Sequence, residues 1–341
     1  MIIFFWILKL LHLLYLLTRI NSVIFAIQTV LEKMISRRNI RVKVMQCLYT
    51  LNSDEIETNP ERALQLLNKH FHQTRSLLVY LIYFLTELIG YAEKDAVHRA
   101  SKHITTKEDL NVNTKIAAND FLMKMKADKA LEEQFSKGKP EQLIDRELVK
   151  KLYHILVEMP EYKTYISDPA RNRIDEKKII ELILTDLLLA NESFNSHIED
   201  NFSNWDDDGE MVLQLLAAYI HKPGTFNFNQ MVSPDKILFA QNLLAIVHEK
   251  KDYLQSMIAP KLKNWDPERI AQLDMILMKM GVAEFLYFET IPPKVTINEY
   301  IDLAKDYSTL QSGQFVNGIL DNIHKELVQQ GKMNKVEYKK V

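Results

Sequence analysis

Pro293-Lys-Val-Thr-Ile-Asn-Glu-Tyr-Ile-Asp-Leu-Ala-Lys305, followed by Gln314-Phe-Val-Asn-Gly-Ile-Leu-Asp321, is the stretch whose reading decides the fold. Ile291-Pro292-Pro293 forces an extended break before it, because proline disfavours helix at the residue that precedes it. Thr296 and Glu299 have the spacing of a capping box, in which each side chain satisfies the other's backbone amide. Ile297, Ile301 and Ala304 are then expected to face inward. After a link over 308–311, Phe315, Ile319, Ile323 and Leu327 recur every four residues and predict a second helix. Gly318 within it costs about 1 kcal/mol relative to alanine, so a close backbone approach is the expected reason for it. Upstream, Pro267 is placed to open a helix, with Ile270, Leu273, Ile276, Leu277, Met280, Val282 and Phe285 apolar.

A second informative stretch lies far towards the N-terminus. Ile35-Ser-Arg-Arg-Asn-Ile-Arg-Val-Lys-Val-Met-Gln-Cys-Leu-Tyr-Thr-Leu51 holds Arg37, Arg38, Arg41 and Lys43 and no acid. Ser36 is an N-cap candidate. Ile40, Val44, Cys47, Leu48 and Leu51 form an apolar stripe at helical spacing. At about 100° per residue, Arg37, Arg41, Met45, Arg38 and Tyr49 follow one another along one flank of that stripe, and the three guanidinium groups and the ring predict a solvent-facing edge. Guanidinium groups fork onto phosphate, and both Arg and Tyr stack on unpaired bases. The plainer reading is a core helix with a solvated basic side.

Composition narrows the remaining classes. The 341 residues contain 43 Lys plus Arg against 45 Asp plus Glu, so nucleic acid cannot be held by bulk charge and needs a local patch. Only 8 Gly and 10 Pro argue against turn-rich β architecture. The single Cys47 excludes an intramolecular disulfide and fits a reducing compartment; its place on the stripe makes it a small buried residue rather than a nucleophile. No glycine-rich phosphate loop, His-Glu-x-x-His pair or paired-cysteine metal site occurs, and His70 and His72 face apart on a helix. Asp206-Asp207-Asp208-Gly209 lacks the alternating acids of a calcium loop and reads as a solvated turn. No cofactor and no enzymatic activity are therefore expected.

Within residues 1–33, Ile2 to Leu17 is nearly all apolar and a second apolar run, Val23 to Leu31, follows Arg19 and Asn21, each shorter than the roughly 20 residues of a spanning helix. Met34 stands directly before the basic helix. The segment reads as sequence upstream of a misplaced start, with membrane anchoring the lesser alternative. Leu77 to Leu85 reads as a buried helix, 98–113 as a loop, 119–135 as one helix and 160–175 as a charged connection. Asn204-Trp205-Asp206 recurs as Asn264-Trp265-Asp266. At the same offset of 60, apolar positions stay in phase: Leu184 with Leu244, Phe194 with Leu254, Ile198 with Ile258, and Phe202 with Leu262. A degenerate duplicated three-helix module is one reading. The other is that amphipathic helices of similar length share such matches by chance. The lysine-rich end after Gln329 is expected to fray.

Taken together, Ser36–Tyr49, Arg269-Ile-Ala-Gln-Leu-Asp274, Ala283-Glu-Phe-Leu286, the 293–305 stretch and Gln314–Asp321 resemble the NusB family of transcription antitermination proteins. The resemblance implies an all-α fold: a NusB-like helical bundle enlarged by a helical insertion. It divides the chain into an apolar extension (1–33), a first helix (34–59), the insertion (60–232), a C-terminal helical core (233–330) and a polar tail (331–341). It further implies a cytoplasmic RNA-binding factor without catalysis. Such a factor binds boxA-type leader RNA with the NusE small-subunit ribosomal protein, and joins the RNA polymerase elongation complex. Carried over residue by residue, Arg37, Arg38, Arg41, Gln46, Tyr49, Phe315 and Asn317 match the RNA side, and Asp274 matches the ribosomal-protein side. Asn39, Gln311 and Gln314 depart from the family's pattern and make the RNA edge less basic. A protein-interaction scaffold in ribosome assembly is the alternative. An RNA-modifying enzyme is a third reading, since NusB-like domains also occur fused to ribosomal RNA methyltransferases.

Overall fold

The computed structural model describes residues 35–53, 59–262 and 270–336. Among them every regular element is helical. In chain order these are α1 (Arg37–Ser53), α2 (Pro60–Ala100), α3 (Lys107–Leu110), α4 (Asp120–Lys126), α5 (Lys129–Gly138), α6 (Arg146–Glu158), α7 (Pro160–Ser167) and α8 (Arg173–Leu182). After a π-helical segment (Ile183–Leu188) follow α9 (Glu192–Asn201), α10 (Trp205–His221), α11 (Pro234–Glu249), α12 (Lys251–Ile258), α13 (Gln272–Tyr287), α14 (Pro293–Tyr307) and α15 (Leu310–Gln329). The described residues fall into two compact units, one of residues 72–231 and one of residues 35–71 with 232–336.

The second unit is built around α13. Ile276, Leu277, Met278, Met280, Val282, Ala283 and Phe285 are all buried, because a helix that is apolar all round is stable only inside a bundle. It touches α1, α11, α12, α14 and α15. Gly281 permits the closest of these approaches: a Cβ there would lie 2.8 and 2.9 Å from the Leu320 methyls of α15. Gly313 does the same between α15 and α14, where a Cβ would meet Lys305 Cγ at 2.8 Å. Gly318, expected to mark a close approach, has nothing within 4 Å and is exposed.

The start of α14 also differs from expectation. The helix begins at Pro293, whose fixed φ suits the first helical position, and Val295 N and Thr296 N already bond the Pro292 carbonyl. Thr296 and Glu299 therefore sit inside the helix and form no capping box. The buried face is Thr296, Tyr300, Leu303 and Ala304, while Ile297 and Ile301 are half-buried. A capping box does occur at the next helix, where Thr309 Oγ1 accepts from Ser312 N at 3.1 Å and Ser312 Oγ accepts from Thr309 N at 3.3 Å. The end expected to fray is tied down instead. Lys335 Nζ donates to the Glu284 and Phe288 carbonyls at 2.8 and 2.7 Å, satisfying orphan acceptors at the C-terminus of α13. Val336 N then bonds the Glu289 carbonyl.

In the other unit, Leu77 to Leu85 is buried except for half-buried Tyr83. The helix that carries it continues to Ala100, past the expected loop start. Among the described residues α2 alone is long and apolar enough to cross a membrane, but 61% of its apolar window is buried, as in a core helix. The expected single helix over 119–135 breaks at Ala127 and Asp128. There Asp128 caps α5 and accepts the Tyr219 hydroxyl at 2.8 Å. Residues 160–167 form α7, opened by Pro160 at its first position, rather than a plain connection. Asp206 to Asp208 are the first turn of α10, where the helix dipole favours acids. Asp208 is buried and accepts from Thr74 Oγ1 and Asn204 Nδ2, both at 2.7 Å, so it is no solvated turn.

At the sixty-residue offset, burial agrees as well as residue type. Leu184 and Leu244, Phe194 and Leu254, Ile198 and Ile258, and Phe202 and Leu262 are all buried, while Leu213 and Leu273 are both half-buried. Asp175 and Asp235 each lie in the first turn of a helix. The second tripeptide, Asn264–Asp266, and the apolar extension 1–33 lie outside the described residues.

Candidate functional site

The basic helix forms as the sequence predicts. Ser36 Oγ accepts from Asn39 N at 3.2 Å, which satisfies one of the free first-turn amides. Ile40, Val44, Cys47, Leu48 and Leu51 are buried. The apolar face is wider than the stripe, because α1 packs on both α11 and α13. Val42 and Met45 go inside with it, and so do Arg41 and Lys43.

Arg41 is the main correction. It was expected on the solvent-facing edge, yet only 2% of it is exposed. Its Nε donates to Glu284 Oε1 at 2.7 Å and its Nη2 to Glu284 Oε2 at 3.0 Å, a bidentate pair across the α1–α13 contact. Nη1 reaches Glu299 of α14 at 3.4 Å. The Glu284 carboxylate, fully buried, also accepts the Thr296 hydroxyl at 2.9 Å and the Tyr300 hydroxyl at 2.8 Å. Four donors thus satisfy one buried charge, which is the condition for keeping an ion pair in a core. Burial works against the Arg41 charge, but Glu284 more than offsets it and holds the guanidinium above its ordinary pKa. Burial, with Glu284 alongside, pushes the Tyr300 phenol well up, so it remains a donor. The guanidinium also stands 5.5 Å from the Phe239 ring centre and 5.8 Å from that of Tyr300.

What remains outside is narrower. Arg37 is exposed and lies 5.7 Å from the Phe239 ring centre. Arg38 is partly exposed and donates to Asp306 Oδ2 at 2.8 Å, at the end of α14. Tyr49 is 46% exposed, and Gln46 is half-buried beside it. Phe315 is half-buried and Asn317 exposed; both stand on α15, which packs on α13 and α14. Of the expected RNA-side residues, Arg37, Arg38 and Tyr49 keep the accessible edge. Asp274, expected on a partner face, is buried and accepts the Ser312 hydroxyl at 2.8 Å, so it braces the start of α15. Cys47 is buried, and desolvation pushes its thiol up to about 12, the state of an inert core residue.

The residues missed in the sequence are Glu284, Glu299 and Asp306. A usable signal existed for the first: a carboxylate inside the apolar run of α13 must find a countercharge. None existed for Asp306, which meets Arg38 only through the packing of α14.

An all-helical bundle, closed by a buried Arg–Glu pair and carrying an arginine pair outside, is the class these features define. A sequence model of the NusB family matches residues 202–325. Three curated relatives are each named transcription antitermination protein NusB. That of Methylacidiphilum infernorum is 41% identical over 126 residues, covering 34% of this chain and 87% of the relative. That of Salinibacter ruber is 41% identical over 134 residues, covering 39% and 79%. That of Chloroherpeton thalassium is 34% identical over 134 residues, covering 37% of this chain and 64% of the relative, a little under two thirds. The chain belongs to the NusB family.

Proposed function

We propose that this protein is a cytoplasmic transcription antitermination factor. It binds boxA-like ribosomal RNA leader with the NusE ribosomal protein and suppresses premature termination in the RNA polymerase elongation complex. The observation that carries the reading is the exposed Arg37, Arg38 and Tyr49 edge of α1, in a family whose curated relatives bear the antitermination name. Two guanidiniums and a ring suit the phosphates and unstacked bases of a single strand. Phe315 and Asn317 are proposed to extend the contact from α15, and Gln46 from α1. Arg41 instead fixes the helix that carries the edge. The test is RNA binding by fluorescence anisotropy, with and without the NusE protein, at several salt concentrations. Arg38→Ala is expected to weaken binding and to lower the log–log salt slope by about 0.7 for a single-strand phosphate contact. An absence of RNA binding both with and without NusE rejects the proposal.

One observation favours a second reading, a protein-interaction scaffold in ribosome assembly. Asp306 already occupies Arg38, which leaves the edge with little free charge. On that reading partner binding survives neutralisation of Arg37 and Arg38 together.

A further inference from the structure

Within the unit of residues 72–231, the middle of α2, the end of α5 and the residues that follow it line an open-mouthed cavity of about 120 Å³. A single water needs roughly 10–15 Å³ on this measure, so the space admits a tetrahedral oxyanion with solvent to spare. Its wall carries His72, Arg75 and Lys137 and no carboxylate, in a chain where acids outnumber bases. Tyr80 and Phe202 form an aromatic side, with ring centres 5.0 Å apart. Gln134 and Asn229 add amides.

Arg75 is the informative member. Its Nε is shielded from solvent and has no hydrogen-bond partner among the described residues. Arg75 as a whole is half-buried, but a shielded N–H without an acceptor is costly unless a ligand supplies one. Two acids close in sequence to the lining residues are committed elsewhere. Glu133 pairs with Lys137, and Asp145 caps α6 by accepting from Glu147 N and Leu148 N. Ser76 is paired with His72.

We infer that this cavity binds a phosphate group, with Arg75 as the forked donor and Lys137, shared with Glu133, at its rim. Guanidinium matches phosphate bidentately, and the aromatic side suits a base or sugar attached to it. A phosphate of this kind comes from a free mononucleotide or from the backbone of a nucleic-acid strand. The site is independent of the α1 edge, so it stands or falls apart from the proposed antitermination role.

The experiment is calorimetric titration of the full chain with inorganic phosphate, with AMP and with a single-stranded oligonucleotide. The variants are Arg75→Gln, Arg75→Lys, Lys137→Gln, and Lys126→Gln as a control outside the cavity. Circular dichroism checks that each variant is folded. AMP binding that weakens tenfold or more in Arg75→Gln, and less in Arg75→Lys, supports a small phosphate ester. Binding of the oligonucleotide alone, with the same dependence on Arg75 and none on Arg37, supports a strand phosphate. If none of the three probes binds, or if folded Arg75 variants bind as the parent does, the inference is overturned.

Discussion

Replacing Arg41 by methionine removes the guanidinium and leaves the Glu284 carboxylate buried with two of its four donors, the Thr296 and Tyr300 hydroxyls. Lys335, the cation at the end of α13, has its ammonium already spent on the Glu284 and Phe288 main-chain carbonyls. Breaking a buried ion pair from one side costs about 3–5 kcal/mol, a large part of the roughly 5–15 kcal/mol that holds a domain folded. For a urea m value near ~2 kcal/mol/M, the midpoint falls by roughly 2 M. The double variant Arg41→Met with Glu284→Gln removes the charge, and the amide can still pair both hydroxyls, its oxygen accepting one and its NH2 donating to the other. It is expected to recover at least half of the loss. Urea titration followed by circular dichroism gives the total. Peptide-level hydrogen exchange over 272–307 assigns it to α13 and α14, because the two units need not unfold together. The reasoning is refuted if Arg41→Met costs under about 1 kcal/mol, the range of a surface pair, while RNA affinity and its salt slope both fall. Arg41 would then point outward to phosphate.

Three further outcomes are expected. Asp306→Asn frees Arg38 and strengthens RNA binding, opposite in sign to Arg38→Ala; anisotropy at low salt distinguishes them, and equal affinities for Asp306→Asn and the parent contradict the exposed-edge assignment. Gly318→Ala raises stability by about 1 kcal/mol, since helix propensity improves and no atom lies within 4 Å, whereas Gly281→Ala lowers it by about 1–3 kcal/mol through collision with Leu320; thermal melts compare the two. Cys47 stays unreactive towards a thiol reagent at pH 8 until the bundle unfolds. Because its folded pKa of about 12 lies above the unfolded value of 9.0, its contribution to stability is intact below pH 9 and is lost as pH rises towards 12.

The helical class was legible in the sequence because the 3.6-residue period survives in the apolar positions of α1 and α15. The start of α1 was legible at Ser36, whereas Pro160, which opens α7 inside a segment read as a connection, shows that the competing signals must be ranked. At α14, Pro293 supersedes the Thr296–Glu299 pattern, since a helix already begun leaves no free amide for that box. Arg41 was misplaced for a similar reason. A helical wheel places charge outside by default. It carries no term for a second packing helix, and α1 is covered on two sides. The candidate RNA edge could be narrowed to Arg37, Arg38 and Tyr49 only after α11, α13 and α14 were in place. Gly318 was misread because a glycine in a helix signals a close approach only if something approaches; Gly281 and Gly313, which the wheel does not distinguish, carry that role.

Arg41 and Glu284 are separated by 243 residues. During synthesis at roughly 5–20 residues per second, α1 leaves the ribosome roughly 10–50 s before the helix that neutralises its guanidinium. Ile40, Val44, Cys47 and Leu48 emerge with it and have no completed bundle to enter during that interval. The residues from 72 to 231, which form a compact unit of their own, are made after α1 and before α13 and have time to fold within that interval. A nascent chain stalled between the end of that unit and α13 would therefore display an apolar, basic first helix on a chain whose 72–231 unit is already folded, and chaperone occupancy on translating ribosomes should be highest across that window.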